Sequence, residues 1–136
     1  MLKNQPLHHH PPTGTRRSVR IQGRPYNAPG AYYVTICTYR RALILGDVVH
    51  TPAGDATVHL THIGGIVDAC WRGIPTHWPH ARLDAYVIMP NHLHGIILLH
   101  PTADPEHALS AETFGCPVPG SLATLVRSFK AACTRD

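Results

Sequence analysis

Residues 81–100 read ARLDAYVIMPNHLHGIILLH, and this segment carries the clearest structural pattern of the chain. Two apolar runs, Leu83–Met89 and Leu93–Leu99, flank the dipeptide Pro90-Asn91, which predicts an antiparallel β-hairpin. Because proline holds φ at about −65°, a primed two-residue turn is disfavoured. We therefore expect a wider or bulged connection between the two strands.

Two histidines lie two positions apart on the second predicted strand. Successive side chains of a strand point to opposite faces, so His92 and His94 project to the same side, with Cα atoms about 6.6 Å apart. Imidazole is a good ligand for Zn, Mn, Fe or Ni, and the pair therefore predicts half of a metal site, which needs at least one further ligand. The alternative is a pair of hydrogen-bonded histidines under a loop.

Two further β-segments precede this hairpin. Residues 31–39 read AYYVTICTY, and their β-branched and aromatic side chains predict the first strand. The alternation assigns Tyr32, Val34 and Ile36 to one face and Tyr33, Thr35 and Cys37 to the other. Residues 47–60 contain two short β-like pieces around a turn-rich centre, which predicts a small peripheral hairpin.

Apolar residues at helical spacing predict two helices. Thr61 can cap the first helix and Pro75 is expected to end it, whereas Ser121 can cap the second. The apolar stripes are Ile63, Ile66, Val67, Cys70, Trp71 and Ile74 in the first helix, and Leu122, Leu125, Val126, Phe129 and Cys133 in the second. A long loop over 101–120 precedes the second helix, and we expect it to be functional or a tolerated insertion.

The order strand, helix, strand, strand, helix predicts an α+β fold, a ferredoxin-like split βαβ sandwich with an antiparallel sheet. The second helix runs up to Asp136 without a Gly or Asn C-cap, and no segment follows that could pair with the remaining sheet edge. We therefore expect a truncated or incompletely predicted reading frame that lacks its last strand and helix. The predicted organisation is a basic Pro/Gly-rich arm over 1–29 and an incomplete domain over 30–136.

The positive charge is concentrated in the first third of the chain. The 136 residues have a formal charge of +4, but residues 1–46 contain seven basic and no acidic residues, which leaves −3 for residues 47–136. This distribution predicts an arm that neutralises phosphates, through Arg16, Arg17 and Arg20. The alternative is a solvated tail that only aids solubility.

Composition excludes several other classes of protein. With 43% hydrophobic and 15% charged residues, the chain is too apolar for a disordered protein and too weakly charged for a coiled coil. It has neither a long apolar run nor a signal-peptide pattern, so we expect a soluble, cytoplasmic protein without a membrane partner. The four cysteines have no zinc-ribbon spacing, and we expect reduced thiols, with Cys37, Cys70 and Cys133 in the core.

The segment YVIMPNHLHGIILL, residues 86–99, resembles the HUH (His-hydrophobic-His) motif of the single-tyrosine HUH transposases, and specifically of the REP-associated tyrosine transposases. Four other segments resemble successive elements of that family in the same order: RRSVRIQG at 16–23, GAYYVTICTYRR at 30–41, CWRGIP at 70–75 and LVRSFKAACTR at 125–135. The resemblance thus covers about residues 16–136, and MPNHLHG is its most specific part.

The resemblance implies a mobile-element endonuclease and strand transferase. Such a ferredoxin-like domain binds single-stranded hairpin DNA and cleaves and rejoins one strand through a 5′-phosphotyrosine intermediate. By resemblance, His92 and His94 hold Mg²⁺ or Mn²⁺ against the scissile phosphate. The family's tyrosine and third metal ligand follow the fourth strand, so we expect both beyond Asp136 and predict no catalytic nucleophile in this chain. The five tyrosines present are expected to have structural roles.

For DNA contact the resemblance favours Arg127 and Lys130 on the polar face of the second helix, together with Arg16, Arg17 and Arg20. The predicted partner is single-stranded hairpin DNA, bound by a monomer or a homodimer. One alternative is a remnant that binds hairpin DNA without cutting it. Another is a small metal-dependent hydrolase or cupin-like protein, which explains neither the basic arm nor the order of elements.

Overall fold

The computed structural model describes residues 25–102 and 118–135, so Arg16, Arg17, Arg20 and most of the predicted loop over 101–120 lie outside the described residues. The fold is α+β, as predicted. Its strands are β1 (Gly30–Cys37), β2 (Gly46–His50), β3 (Ala56–Leu60), β4 (Ala81–Met89) and β5 (His92–Leu99). Its helices are α1 (His62–Arg72), α2 (Ile74–His77) and α3 (Leu122–Cys133). The longest helix in the described ranges, α3, has 12 residues and is too short to cross a membrane.

The main sheet is antiparallel and has three strands in the order β1-β5-β4, with β5 in the centre. Strand β1 pairs with β5 from Gly30 opposite Leu99 to Cys37 opposite His92. Strands β2 and β3 form a separate antiparallel two-stranded sheet, which confirms the predicted small hairpin. This order of elements is compatible with the ferredoxin-like split βαβ arrangement.

Helices α1 and α3 cover one face of the main sheet. Along β5 the burial alternates, with Leu93, Ile97 and Leu99 buried in the core and His92 and His94 half-buried on the opposite face. On that opposite face the Tyr33 side chain is 68% exposed. We call the face of the main sheet opposite the helices the open face. It carries Tyr33, Thr35, Cys37, Val87, His92 and His94.

Trp71 of α1 is the largest fully buried side chain of the described residues. Its ring lies 6.0 Å from that of Tyr86 and meets the Phe129 ring edge-on at 5.5 Å. A Cβ atom at Gly95 of β5 would overlap the indole ring of Trp71. The glycine in the central strand is therefore required for the close approach of α1 to the sheet.

The first helix ends earlier than predicted. Thr61 caps α1 as expected, with its side chain accepting a hydrogen bond from the Gly64 N–H, but α1 ends at Arg72. Pro75 lies in the first turn of the separate helix α2. The prediction that Pro75 ends the helix was wrong. Backbone N–H groups in the first turn of a helix have no partner within the helix, so a proline, which lacks this group, is tolerated there.

The connection between β4 and β5 is a two-residue turn, since Met89 pairs directly with His92. The expected wider connection was wrong. Neither Pro90 nor Asn91 has a positive φ, so the turn is not of a primed type, and proline suits the second position of a type I turn. The irregularity in this hairpin lies instead between Leu83 and Tyr86.

Two adjacent glycines of α1 provide a test of this packing. A Cβ at Gly64 would overlap the carbonyl oxygen of Leu45, which accepts the Thr61 N–H, whereas a Cβ at Gly65 meets nothing within 4 Å. We expect Gly64→Ala to lower the free energy of unfolding by roughly 1–3 kcal/mol. Gly65→Ala should raise it by roughly 0.5–1 kcal/mol through helix propensity. Urea unfolding of both variants measures the difference, and equal effects would contradict the packing described.

Candidate metal and nucleic-acid site

His92 and His94 lie side by side on the open face. Their ring centroids are 4.6 Å apart and the rings are nearly perpendicular, at 78°. The prediction that both imidazoles project to the same side is confirmed. Both side chains are half-buried, so they are accessible to a ligand and are also held by their surroundings.

Each histidine has its Nδ1 atom in a hydrogen bond. The His92 Nδ1 lies 2.6 Å from the Asn91 Oδ1, and the His94 Nδ1 lies 2.8 Å from the Thr35 Oγ1. Within the described residues neither Nε2 atom has a hydrogen-bond partner. An amide oxygen only accepts, so the neutral His92 carries its proton on Nδ1 and a lone pair on Nε2. This is the arrangement in which a histidine binds a metal and its other nitrogen is oriented by a neighbour.

Asn91 is itself fixed by the residues that follow β1. Its backbone carbonyl accepts hydrogen bonds from the Thr38 backbone N–H and hydroxyl, both at 3.0 Å. Its side-chain Nδ2 donates to the Arg41 carbonyl at 3.4 Å. These contacts direct Oδ1 toward His92, so Asn91 orients the first histidine of the pair.

Orientation by Asn91 leads to a testable expectation. Loss of a partner that orients a metal-binding histidine typically lowers metal affinity 10–100-fold. We expect Asn91→Ala to weaken Mn²⁺ binding by about tenfold while His92 and His94 remain in place. Isothermal titration calorimetry measures the affinity, and Asn91→Asp, which keeps an acceptor oxygen, is the matched control. Unchanged affinity in Asn91→Ala would show that Asn91 does not orient the site.

The described residues would offer two imidazole ligands to a cation at this position. Within 25–102 and 118–135 no group of three or more His, Cys, Asp or Glu side chains is placed to hold a metal ion. A cation bound by His92 and His94 would therefore need water, substrate oxygens or groups outside these ranges as further ligands. Two neutral imidazoles suit Mn²⁺ better than Mg²⁺, which prefers oxygen ligands.

The cysteines divide between the two faces of the sheet. Cys70 and Cys133 are half-buried and pack against the core, as predicted. Cys37 is exposed on the open face, directly across from His92, so the prediction that it lies in the core was wrong. The strand alternation was right, but the helices cover the face of β1 that carries Tyr32, Val34 and Ile36.

A groove of about 550 Å³ lies between β1 and α3, and the two basic residues predicted on α3 line it. Arg127 and Lys130 are both exposed. The other lining residues are Tyr26, Tyr33, Leu122, Ala123 and Val126. Tyr33 also stacks on His94, with ring centroids 5.4 Å apart and an interplanar angle of 19°. Tyr33 thus connects the basic groove with the histidine pair.

Sequence patterns did not indicate the conformation of two arginines near the histidines. Arg40 and Arg41 follow β1 with φ of 51° and 55°, in the left-handed region that non-glycine residues rarely adopt. Both side chains are exposed, and the Arg41 carbonyl contacts Asn91. Their charge is visible in the sequence, but their proximity to the histidine turn depends on the tertiary fold.

Two tyrosines have structural contacts as predicted: Tyr32 is buried in the core and the half-buried Tyr86 packs against it, whereas Tyr33 and Tyr39 are exposed. The Tyr32 hydroxyl donates to the Ala28 carbonyl at 2.6 Å. The Tyr86 hydroxyl donates to Asp68 at 2.7 Å, and Asp68 also pairs with Arg72. Burial, together with the hydrogen bond to Asp68, raises the pKa of Tyr86. A raised pKa makes its phenolate harder to form, which disfavours Tyr86 as a nucleophile.

The chain is similar to an uncharacterized protein of Haemophilus influenzae. The two are 32% identical over 136 residues, a match that covers 96% of this chain and 69% of the relative. No protein-family model matches the chain, and no solved structure matches it.

Proposed function

We propose that this chain, which belongs to the same protein family as the uncharacterized Haemophilus influenzae protein, binds a divalent cation and single-stranded hairpin DNA on the open face of its main sheet. The observation that carries the proposal is the pair His92 and His94, adjacent on one strand, with both Nδ1 atoms tied and both Nε2 atoms available. The resemblance of MPNHLHG to the HUH motif of REP-associated tyrosine transposases supplies the reaction class.

The cation site would be formed by the Nε2 atoms of His92 and His94, with Mn²⁺ as the favoured ion. Once bound, such an ion would neutralise charge on the scissile phosphate and align that phosphate for in-line displacement. The chain's own residues would orient the two ligands: Asn91 holds the His92 ring and Thr35 holds the His94 ring.

The charge distribution supports a polyanionic partner. The acidic residues of the described ranges are Asp47, Asp55, Asp68 and Asp84. None of them belongs to β1, β5 or α3, the elements that carry the histidine pair and the groove. Among the described residues that line the groove, Arg127 and Lys130 therefore have no acidic neighbour, and phosphate contact through them needs no base recognition.

The proposed reaction is cleavage and rejoining of one DNA strand at the phosphate held beside His92 and His94. In the resembling family a tyrosine hydroxyl attacks that phosphate, forms a 5′-phosphotyrosine bond and releases a 3′-OH, so the bond energy is kept for rejoining. Among residues 25–102 and 118–135, no tyrosine is assigned as this nucleophile.

A second candidate is hairpin-DNA binding without cleavage. The hydrogen bonds of the Tyr32 and Tyr86 hydroxyls favour it, because they remove these two tyrosines as nucleophiles, whereas Tyr33 and Tyr39 are exposed. Incubation of a 5′-labelled hairpin oligonucleotide with the chain and Mn²⁺ separates the candidates. Histidine-dependent strand cleavage supports the transposase reaction, whereas tight binding with intact DNA supports the second candidate.

The salt dependence of hairpin binding tests the DNA part of the proposal. Each phosphate contact contributes about 0.7–0.9 to the slope of log K against log salt. The double variant Arg127→Ala/Lys130→Ala should therefore have a slope shallower by roughly 1.4–1.8 in fluorescence anisotropy titrations. Arg72→Ala is the control, because Arg72 is on α1 and pairs with Asp68. Hairpin binding that does not respond to salt, or an unchanged slope in the double variant, would contradict the proposal.

A further inference from the structure

Both carbonyl groups of the Pro90-Asn91 turn accept hydrogen bonds from one segment, residues 38–45, which follows β1. The Leu45 N–H donates to the Pro90 carbonyl at 2.9 Å, and the Thr38 N–H donates to the Asn91 carbonyl at 3.0 Å. The Thr38 hydroxyl also donates to the Asn91 carbonyl, at 3.0 Å. Segment 38–45 therefore holds the turn from which His92 begins the central strand.

Segment 38–45 is itself attached to the first helix. Its residue Leu45 is buried, and the Leu45 carbonyl accepts the Thr61 N–H at 3.0 Å. The Thr61 hydroxyl donates to the Ile44 carbonyl at 2.6 Å and accepts the Gly64 N–H, so the residue that caps α1 also fixes the segment. Hydrogen bonds thus connect the histidine turn, through this segment, to the start of α1.

The Thr38 side chain does not act as an ordinary helix cap. Thr38 precedes a short 3-10 turn, Tyr39–Arg41, but its side chain accepts no hydrogen bond from that turn. Instead the hydroxyl donates, and its two acceptors are the carbonyls of Ala42 at 2.8 Å and of Asn91 at 3.0 Å, the latter 53 positions away in the sequence. A hydroxyl has one hydrogen to donate, so the two carbonyls share it, and Thr38 bridges the 3-10 turn and the histidine turn.

We propose that Thr38 is a positioning residue for His92 and acts through Asn91. By holding the Asn91 backbone, Thr38 keeps the Asn91 Oδ1 at 2.6 Å from the His92 Nδ1, which fixes the tautomer with a lone pair on Nε2. The part of this inference that concerns the cation rests on the proposed function. The tautomer of His92 is a property of the chain alone and can be measured without metal.

Nitrogen NMR of the metal-free, ¹⁵N-labelled chain, recorded with the imidazoles neutral, measures this tautomer. In the wild type we expect His92 to be protonated on Nδ1. Thr38→Val keeps a similar side-chain shape but removes the hydroxyl, and we expect a mixture of the two His92 tautomers in this variant. Thr38→Ser keeps the hydroxyl and should restore the wild-type His92 signals. Thr57→Val on β3 is the control for loss of a hydroxyl elsewhere in the chain.

The Mn²⁺ affinity, measured by isothermal titration calorimetry, shows whether Thr38 acts through Asn91. Thr38→Val should weaken Mn²⁺ binding about threefold, less than the roughly tenfold loss expected for Asn91→Ala, because the Thr38 N–H still holds the Asn91 carbonyl. In a chain that already carries Asn91→Ala, Thr38→Val should cause no further loss, because the effects of residues in one hydrogen-bond network are not additive.

Wild-type His92 signals in Thr38→Val overturn the inference, and so does an additive loss of Mn²⁺ affinity in the double variant. The same change in Thr38→Ser as in Thr38→Val also overturns it, because the hydroxyl is then not responsible. If the wild-type chain binds no Mn²⁺, the proposed cation site is wrong, and the tautomer comparison alone decides the role of Thr38. Thr38→Ala replaces Thr38→Val if thermal unfolding shows that the valine variant is not folded.

Discussion

Replacement of either His92 or His94 by alanine is expected to abolish the rise in melting temperature that Mn²⁺ causes. A ligand present at a hundred times its dissociation constant stabilises the folded state by about 2.7 kcal/mol. For a chain of this size that corresponds to a rise of about 10 °C in the wild type. Among the described residues no third ligand joins His92 and His94, so we expect the histidine that remains in each variant to bind Mn²⁺ too weakly to stabilise the fold.

The control for this experiment is another histidine, because the chain has twelve. His59 of β3 is exposed and belongs to the separate two-stranded sheet. His59→Ala should keep the full Mn²⁺-dependent rise. If the rise persists in His92→Ala, the cation binds elsewhere in the chain and the proposed site is wrong.

The largest expected loss of stability follows from Trp71→Ala. The Trp71 side chain is fully buried and contacts the rings of Tyr86 and Phe129, while Gly95 provides the space for its indole. Truncation of such a residue leaves a cavity and costs roughly 3–5 kcal/mol. The free energy of unfolding of an ordinary domain is roughly 5–15 kcal/mol, so we expect the variant to unfold near physiological temperature.

Trp71→Phe is the matched comparison for this prediction. The Trp71 Nε1 has no hydrogen-bond partner among the described residues, so phenylalanine loses ring volume but no hydrogen bond. Its free energy of unfolding in urea should lie between those of the wild type and Trp71→Ala. A Trp71→Ala chain whose free energy of unfolding lies within about 0.5 kcal/mol of the wild type would contradict the core described, since that range is ordinary for a surface change.

Local patterns were sufficient to predict the strands and the face that each side chain shares. The alternation along β1 grouped Tyr33 with Thr35, and the two-residue spacing grouped His92 with His94, as the structure has them. These predictions hold because the side-chain direction in a strand depends only on the local backbone. The Thr61 and Ser121 caps were predictable for the same reason.

Other features depend on contacts between distant parts of the chain. The alternation does not indicate which face of β1 the helices cover. The predicted core position of Cys37 was wrong for this reason, since its side chain is exposed. The bond from Thr35 to His94 joins residues 59 positions apart, and no local pattern indicates it. Pro75 was read as the end of one helix, because a proline in the first turn of a second helix has the same local pattern.

The candidate site depends both on local sequence patterns and on contacts between distant parts of the chain. The histidine pair and the basic residues of α3 could be predicted from spacing, whereas their connection through Tyr33 depends on the groove that Tyr33 and α3 line together. The roles of Asn91 and Thr35 as hydrogen-bond partners also emerged only from the fold. Residue types therefore indicated the chemistry, and tertiary structure identified the residues that orient it.

Paramagnetic broadening by Mn²⁺ in NMR spectra of the isotopically labelled chain, recorded with and without a hairpin oligonucleotide, locates the cation directly. We expect selective loss of signals from Thr35, His92 and His94 on the open face, at lower Mn²⁺ concentration when the hairpin is present, because a DNA phosphate completes the ligand set. Signals from Ala81 and Leu99, which pair at the opposite end of β5 from His92, should persist. Broadening centred on other histidines, or a Mn²⁺ requirement unaffected by the hairpin, would contradict a shared cation and DNA site on this face.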